Sequence, residues 1–308
     1  MKVLVTGAGG MLGRNLVERL RAARADVEVV GLTRDDVDLR VQAATADIIR
    51  EISPDAILHA AAKVGGIGIK QAEPTPFLLD NLRLDANVLS AALDLEIPEL
   101  LYIGSAAVYP AAYERPYLES DMLTGALESV NEGYALAKIA AAKVCEYASR
   151  QYGFSYRAAL PSNLYGIHDH FDLGNAHLIA AALAKVHQAK AENSPTVSVW
   201  GDGTARREFT FSVDLANWLA LQVGSLAEWP PTLNIGCGVD HTIAEYYRVA
   251  CAVVGYDGEL DFDTTQPSGV PRRLIDSSVA VALGWTAPTS LADGMAATYA
   301  DYLHLQER

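Results

Sequence analysis

A glycine-rich segment near the start of the chain constrains the fold most strongly. The segment Gly7-Ala-Gly-Gly10-Met-Leu-Gly13 follows an apolar run at residues 3–5. It precedes a stretch in which Leu12, Leu16 and Leu20 recur at helical spacing. Glycines spaced between a strand and a helix allow a tight turn and close approach of a pyrophosphate, which then meets the N–H groups of the helix N-terminus. The segment therefore predicts a dinucleotide site, and a purely structural turn is the less favoured alternative.

The rest of the sequence falls into two regions that differ in their pattern of predicted strands, helices and loops. Up to residue 160, short apolar runs alternate with helical patterns, which is typical of an α/β Rossmann fold with a doubly wound parallel sheet. Strands are predicted at 27–30, 56–58, 100–103 and 156–160, and helices at about 74–95 and 132–152. Beyond Pro161, short strands stand among loops rich in Gly and Pro, with helices at about 175–190 and 242–255. We expect this region to form a smaller, discontinuous α+β substrate-binding cap.

Domain boundaries follow from this change in the pattern of predicted elements. The prediction is a Rossmann NADP-binding domain over 1–164 with a returning segment at about 208–238. Residues 165–207 and 239–308 are expected to form mainly the substrate-binding domain.

Composition excludes several classes of protein. The chain has 38 acidic and 24 basic residues, a net charge of −14, which argues against a general surface for nucleic acid or anionic membranes. Its cysteines, Cys145, Cys237 and Cys251, are widely spaced, which suits reduced thiols in the cytoplasm. No apolar run reaches about 18 residues, and the N-terminus lacks a signal-peptide pattern. We predict a cytoplasmic enzyme without a membrane segment or metal site.

The end of the second predicted strand indicates which dinucleotide binds. NAD sites usually carry Asp or Glu there, to bind the ribose hydroxyls. This chain has Arg34 instead, whose planar guanidinium matches a 2′-phosphate and favours NADP(H). Asp38 and Leu39 follow at a spacing suited to bracketing adenine. A solvated surface arginine is the alternative for Arg34.

Three polar residues form the predicted catalytic centre. Tyr134 and Lys138 are four residues apart on a helical pattern, so they share a face. The Lys138 ammonium and the positive nicotinamide of the cofactor are expected to lower the pKa of Tyr134, which would then protonate a carbonyl oxygen as hydride arrives. Ser105 follows a predicted strand, where ligands bind in open sheets, and can hydrogen-bond the same oxygen.

The chain resembles the GDP-L-fucose synthase family nearly end to end. The motifs that carry the resemblance are Ala60-Ala-Ala-Lys-Val-Gly-Gly-Ile67, Gly104-Ser-Ala-Ala-Val-Tyr-Pro110, Asn131-Glu-Gly-Tyr-Ala-Leu-Ala-Lys138, Pro161-Ser-Asn-Leu-Tyr-Gly166, His168-Asp169, Asn175-Ala-His177, Trp200-Gly-Asp-Gly-Thr204, Arg207-Glu-Phe209, Asn234-Ile-Gly236 and Gly269-Val-Pro-Arg272. Such enzymes epimerise GDP-4-keto-6-deoxy-D-mannose at C3 and C5 and then reduce C4 with NADPH. The resemblance implies the same GDP-sugar substrate and cofactor here.

The resemblance also implies further site residues. Cofactor contacts are implied for Met11, Leu12, Ala61, Ala62, Lys138, Pro161, Asn163, Leu164 and His177. Substrate contacts are implied for Ser105, Ala107, Asn163, Lys185, Trp200, Arg207 and Ser268. His177 is the implied acid that works with the epimerising base, and Trp200 could equally be a core aromatic. The two predicted helices at 74–95 and 132–152 are implied to form a homodimer interface.

One departure from the family pattern concerns the epimerising base. The family has a cysteine two residues after the catalytic serine, whereas this chain has Ala107, whose methyl group removes no proton. Lys185 replaces a usual arginine, and Ser268 replaces an aspartate. Two versions of the reaction stay open. In one, a substitute base such as His177 or water carries out the epimerisation. In the other, the enzyme only reduces C4 and gives a different GDP-6-deoxyhexose. A non-catalytic NADP-binding regulator and an epimerase that retains its NAD are rival hypotheses.

Overall fold

A parallel sheet forms the centre of the computed structural model, which describes residues 1–111, 115–174, 176–266 and 269–307. The strands are β1 (Lys2–Thr6), β2 (Glu28–Leu32), β3 (Ala56–His59), β4 (Glu99–Ile103), β5 (Ser155–Pro161), β6 (Asn163–Tyr165), β7 (Thr196–Trp200), β8 (Arg206–Phe211), β9 (Thr232–Ile235), β10 (Asp240–Thr242), β11 (Glu259–Asp263) and β12 (Arg272–Arg273). The central sheet has the order β2-β1-β3-β4-β5-β9, and its neighbouring strands are parallel. The predicted doubly wound fold is confirmed.

Helices cover both faces of this sheet. They are α1 (Met11–Ala23), α2 (Gln42–Ile52), α3 (Ile67–Ala72), α4 (Pro74–Asp94), α5 (Glu132–Tyr152), α6 (Leu178–Ala191), α7 (Ser212–Gln222), α8 (Ile243–Val254), α9 (Ser278–Ala282) and α10 (Leu291–Gln306). On one face α1 packs against α7, and on the other α4 packs against α5 and α2. In the described residues, no helix is long and apolar enough to cross a membrane.

The first strand shows why the sequence forms this layered core. Val3 and Val5 point to the α1 and α7 face, and Leu4 points to the α4 and α5 face, as the two-residue period of a strand requires. All three are fully buried. A strand covered on both faces reads as a continuous apolar run, which is the pattern seen in the sequence.

The strand order places a crevice next to β1. The chain passes from β1 to β2 on one side and then to β3 on the other. The order reverses between β1 and β3, and ligands of open parallel sheets bind at such a point, outside the carboxyl ends of the strands. The glycine-rich turn after β1 and the segment after β3 therefore border one crevice.

A second hydrophobic cluster supports the smaller part of the chain. Strand β8 pairs with β6, β10 and β12, while β7 pairs with β11. Helices α6, α8 and α10 pack together beside these strands around Leu183, Tyr246 and Met295. Strand β9 and helix α7 join the central sheet layer, and so do α9 and Trp285. We propose the domain division that the sequence suggests, except that α9, from the C-terminal region, packs with the central sheet.

Predicted element boundaries lie close to the observed ones. The helices expected at about 74–95 and 132–152 are α4 and α5. The helix expected at about 175–190 begins at Leu178, because His177 before it has an extended backbone with φ −73° and ψ 165°. Strand β2 continues to Leu32, two residues beyond the prediction.

Candidate functional site

The glycine-rich turn between β1 and α1 has the shape that a pyrophosphate site needs. Gly7 has a φ of 71°, and a Cβ there would lie 2.6 Å from the backbone nitrogen of Ala61. A Cβ on Gly13 would overlap the carbonyl oxygen of Gly7. Side chains at either position are therefore incompatible with the close approach of β1, α1 and the segment after β3. The turn leaves the crevice open to a ligand.

The first turn of α1 supplies backbone donors to this crevice. The helix begins at Met11 after Gly10, without a side-chain cap and without an acidic residue in its first turn. The first N–H groups of a helix have no partner within the helix, and they carry the positive end of its dipole. Leu12 is buried against the sheet while Met11 is half-buried. This arrangement fits a dinucleotide, whose phosphates the N–H groups of Met11, Leu12 and Gly13 would hold.

The loop after β2 carries the residues expected at the adenosine end. Arg34 lies two residues beyond the strand, and its side chain is exposed. Asp38 accepts a hydrogen bond from Arg40 at 2.9 Å, and that bond, aided by the charge of Arg34, lowers the pKa of Asp38. Leu39 is buried in the core beneath them. The exposed guanidinium of Arg34 fits a 2′-phosphate, and Arg40 is a neighbour that the sequence argument did not identify.

The residues expected at the nicotinamide end border the same sheet edge. Ala61 and Ala62 follow β3 and are half-buried. Pro161 ends β5 and is buried, and Leu164 on β6 packs against the sheet cluster. Asn163 is exposed, and its Nδ2 donates to a backbone carbonyl of β8 at 3.3 Å. The structure thus places these five residues at the carboxyl ends of β3 and β5.

Ser105, Tyr134 and Lys138 converge at the carboxyl end of β4. Ser105 lies two residues beyond the strand, and its Oγ accepts a hydrogen bond from the N–H of Ala107 at 3.1 Å. Tyr134 and Lys138 lie one turn apart on α5, both buried. Lys138 Nζ donates to the carbonyl of Ile103 at 3.0 Å, which ties the helix to β4. A hydrogen bond with Ser105 acts on the Tyr134 hydroxyl.

Burial decides the protonation of this centre. It raises the pKa of Tyr134 above 10.0, although the Ser105 hydrogen bond opposes the change. Burial lowers the pKa of Lys138, and the negative charge of Asp85 partly offsets that effect. In the protein alone, desolvation outweighs the effect of Ser105, and the lowering expected from Lys138 together with the bound nicotinamide stays a prediction. Tyr134 retains its proton at neutral pH, as a proton donor requires.

A buried polar network underlies Lys138 and was missed by sequence reasoning. Asp85 on α4 accepts hydrogen bonds from Tyr102 Oη at 2.6 Å and from His59 Nε2 at 3.1 Å. His59 Nδ1 in turn lies 2.7 Å from Thr6 Oγ1. Lys138 Nζ stands over the Tyr102 ring, 4.6 Å from its centroid. The network links the strand before the glycine-rich turn to the ammonium of Lys138.

Asp85 is the buried negative charge of this network. Burial alone would raise the pKa of its carboxyl, but the charge of Lys138 and the hydrogen bonds from His59 and Tyr102 outweigh that effect, so the pKa of Asp85 is lowered. Thr6, His59 and Tyr102 lie on three different strands, and Asp85 lies on a helix. No local sequence pattern links these residues, and only tertiary packing brings them together.

Two arginines lie near Glu128, close to the turn that follows Ser105. Arg273 is buried, and it donates to the carbonyl of Ala106 at 2.7 Å and contacts Glu128 at 3.3 Å. Arg207 is half-buried, and burial lowers the pKa of its guanidinium while Glu128 raises it. The half-buried methyl of Ala107 lies on the 3-10 turn directly after Ser105. Arg273 and Glu128 were not identified from the sequence, although Arg273 directly follows the motif that ends at Arg272.

His177 meets a lysine that the sequence argument did not single out. His177 caps α6, and burial together with the positive charge of Lys70 lowers its pKa from 6.5 to about 4. Its imidazole is therefore neutral at neutral pH, which is a poor state for the acid that the resemblance implies. Lys70 lies on α3, with Nζ 4.5 Å from the centroid of the Tyr134 ring. A lysine after a Gly-Gly pair gives no signal of this placement.

Lys185 on α6 and Trp200 at the end of β7 lie side by side in the smaller part of the chain. Lys185 Nζ lies 5.6 Å from the centroid of the Trp200 indole and donates to the Ser198 carbonyl at 3.4 Å. Trp200 is 48% exposed, so it is not a core aromatic between the two parts of the chain. An exposed indole beside an ammonium suits stacking of a ligand. Ser268 and Asn175 lie outside the described residues.

Comparisons with known proteins agree with this geometry. Residues 3–236 match the sequence profile of the NAD dependent epimerase/dehydratase family. A GDP-L-fucose synthase of Azorhizobium caulinodans is 41% identical over 304 residues, covering 98% of this chain and 96% of that protein.

Two solved structures from Campylobacter jejuni are also similar. The GDP-6-OMe-4-keto-L-xylo-heptose reductase has a TM-score of 0.92 and 29% identity, with 99% of this chain and 98% of that one covered. MlghC, a GDP-mannoheptose C4 reductase with NADP bound, has a TM-score of 0.88 and 30% identity, with 98% of both chains covered. With its glycine-rich crevice, its Ser105, Tyr134 and Lys138 centre and its match over residues 3–236, the chain belongs to the NAD dependent epimerase/dehydratase family.

Proposed function

We propose that this protein uses NADPH to reduce the C4 ketone of a GDP-4-keto-6-deoxyhexose. The observation that carries the proposal is the buried, protonated Tyr134 beside Ser105 at the mouth of a dinucleotide crevice. The chain that holds this centre is similar over almost its whole length to enzymes named for GDP-sugars. A regulator that only binds NADP has no need of a buried proton donor at this position.

The roles of the three central residues follow from their positions. The bound NADPH supplies the hydride. The hydroxyls of Ser105 and Tyr134 hold the ketone oxygen, and Tyr134 gives up its proton as negative charge develops there. Lys138, fixed by the carbonyl of Ile103, keeps a positive charge next to Tyr134 and binds the nicotinamide ribose. The convergence of these three side chains near the carboxyl end of β4 supports the proposed roles.

The outer residues suit the nucleotide part of the substrate. The half-buried Arg207 offers a guanidinium fork that matches a diphosphate. Trp200 and Lys185 form an exposed platform farther out, where a base or sugar ring can stack. We assign these three residues to the GDP-sugar, with Asn163 and Ala107 nearer the reacting ring.

A direct assay tests the proposed reaction. Purified protein is mixed with GDP-4-keto-6-deoxy-D-mannose and NADPH, and the loss of reduced nicotinamide is followed by absorbance. We expect one NADPH to be consumed per sugar reduced, and NADH to be used much less efficiently because of Arg34. NMR of the product identifies the stereochemistry at C3, C4 and C5. Binding of NADPH without consumption would contradict the proposal and support a regulator.

A second candidate function is C4 reduction without epimerisation. It is favoured by Ala107, which supplies no base at the second position after Ser105. Two structural neighbours are themselves named as reductases. Deuterium uptake at C3 and C5 of the 4-keto sugar in D₂O distinguishes the candidates, because only an enzyme that removes these protons exchanges them.

We also propose that the protein is a cytoplasmic homodimer. The paired helices α4 and α5 expose apolar side chains on their outer faces, at Leu79, Leu136, Val144 and Tyr147. On α5, residues 136, 144 and 147 share one helical face. A second copy of the same helix pair would cover them in a four-helix arrangement.

A further inference from the structure

Lys70 stands directly over the proposed proton donor. Its Nζ lies 4.5 Å from the centroid of the Tyr134 ring, nearer than the Nζ of Lys138 at 5.8 Å. It donates a hydrogen bond to Asn131 Oδ1 at 3.0 Å. The charge of Lys70 also acts on His177, the residue that precedes α6. A second amine therefore faces the place where the ketone binds.

The surroundings of Lys70 do not pair its charge. The nearby acid, Glu128, accepts hydrogen bonds from Asn131 at 2.6 Å and from Arg273 at 3.3 Å. Across the described ranges, no carboxylate oxygen lies within 4.0 Å of Lys70 Nζ. Burial, with Arg273 adding to it and Glu128 opposing it, lowers the pKa of Lys70 from 10.5 to about 8. A largely desolvated lysine without an ion pair is typical of a group with a chemical task.

Other groups of the described site are poor proton acceptors. Ala107 has only a methyl group, and His177, with a pKa of about 4, is a weak base. Cys145 lies on α5, fully buried in the core between that helix and the sheet, and burial raises the pKa of its thiol. The Cys237 sulfur is hydrogen-bonded to the carbonyls of Phe209 and Val239, within the smaller part of the chain. Lys138 is the other amine beside Tyr134, and it is held by the carbonyl of Ile103, which leaves Lys70 as the candidate base.

We propose that Lys70 is a catalytic residue that removes the proton from a carbon next to the C4 ketone, in place of the base missing at Ala107. The proposal rests on the proposed function, because it requires a 4-keto sugar with its ketone oxygen at Tyr134. Carbons that lose protons in epimerisation are bonded to the carbonyl carbon, so the base must lie within a few Å of the group that binds the oxygen. The position of Lys70 over the Tyr134 ring meets this condition.

The proton transfer balances with groups on hand. The neutral amine of Lys70 takes the proton from C3 or C5, and a new N–H bond forms as the C–H bond breaks. The electron pair of that bond becomes the C=C bond of an enolate, and the ketone oxygen takes the negative charge, which the hydroxyls of Ser105 and Tyr134 stabilise. Return of a proton to the carbon restores the ketone. No oxidant or reductant is needed.

Burial makes the free amine available at neutral pH. A lysine with a pKa of about 8 is about one-tenth neutral at pH 7, roughly 300-fold more than a lysine at 10.5. The side-chain oxygen of Asn131 accepts a hydrogen bond from Lys70 in both protonation states of the lysine. The lone pair of the neutral amine is therefore left free for the substrate. The exchange rate should rise with pH up to about 8 and fall about tenfold per pH unit below that value.

The test measures deuterium exchange without reduction. Full-length protein is incubated in D₂O with NADP⁺ and GDP-4-keto-6-deoxy-D-mannose, and deuterium at C3 and C5 is read by NMR. We expect exchange with the wild-type protein and at least a hundredfold slower exchange with Lys70→Met. Lys70→Arg keeps a cation but supplies no base at neutral pH, so it should lose exchange as well. Lys2→Met is the matched control. Lys2 lies at the amino end of β1, away from the carboxyl ends of the strands, so this variant should exchange like the wild type.

Reduction of the same sugar by NADPH separates the two proposals. If both Lys70 variants still consume NADPH within about tenfold of the wild-type rate but do not exchange, the base is identified and misfolding is excluded. Wild-type reduction without any exchange, or undiminished exchange in both variants, would overturn the role of Lys70 and leave the reductase function intact. Exchange without NADPH consumption would instead overturn the reductase function.

Discussion

Replacing Asp85 with asparagine removes the buried negative charge that faces Lys138. The substitution preserves the size of the side chain and can still accept a hydrogen bond from Tyr102 or His59. It therefore tests the charge more than the packing. The carboxylate raises the pKa of Lys138 against the effect of burial, so its loss should lower that pKa further.

The size of the effect follows from the distances in the network. Lys138 Nζ lies 4.6 Å from the Tyr102 ring centroid, and the hydroxyl of that ring lies 2.6 Å from Asp85. The two charges are thus within about 10 Å of each other, where an effective dielectric constant of about 20 gives an attraction of at least about 1.7 kcal/mol. That energy is a factor of roughly twenty in the protonation equilibrium of Lys138.

The assay is the pH dependence of kcat/KM for NADPH consumption with the 4-keto sugar. Protonated Lys138 is the working form, so activity on the alkaline side disappears as this group loses its proton. In Asp85→Asn the loss of activity on the alkaline side should begin at lower pH. The acidic limb of the profile should not move, because Lys138 stays protonated there. NADPH affinity measured by fluorescence gives a second readout, which should weaken at alkaline pH over the same range.

Tyr102→Phe is the matched control for this experiment. It removes a hydrogen bond to Asp85 but keeps both the aromatic face under Lys138 and the carboxylate charge. Its alkaline limb should stay within the wild-type range, and thermal unfolding of both variants establishes that each is folded. A folded Asp85→Asn protein whose alkaline limb coincides with that of the wild type would refute the electrostatic reasoning.

Three further predictions concern other parts of the site. Tyr134→Phe should reduce kcat about 10²- to 10⁴-fold with little change in NADPH affinity, and an unchanged kcat would disprove its role as the acid. Arg34→Ala should raise KM for NADPH by about ten- to a hundredfold without affecting KM for NADH, because only the 2′-phosphate pairs with the guanidinium. Leu136→Glu should convert a dimer to a monomer by light scattering at micromolar concentration, and a wild-type protein that is already monomeric would contradict the proposed interface.

Local patterns in the sequence were sufficient to predict the cofactor crevice. Gly7 and Gly13 are spaced by the geometry of a single turn, and the structure shows that neither position accepts a Cβ. Tyr134 and Lys138 share a helix face because four residues make about one turn. Ser105 lies half-buried just beyond a strand end, which the apolar run before it locates in the sequence. Each of these features depends on neighbours along the chain.

The protonation and the surroundings of the same residues depended on tertiary packing. Lys70 reaches Tyr134 from another helix, and Asp85 reaches Lys138 through Tyr102 on a strand. Burial then raises the pKa of Tyr134, an effect that the sequence argument did not include. Desolvation and long-range charge depend on how closely separate segments pack, which a linear pattern does not record. The sequence therefore determined which residues form the predicted reducing centre, and the tertiary structure decided how burial acts on them and which second lysine lies over the Tyr134 ring.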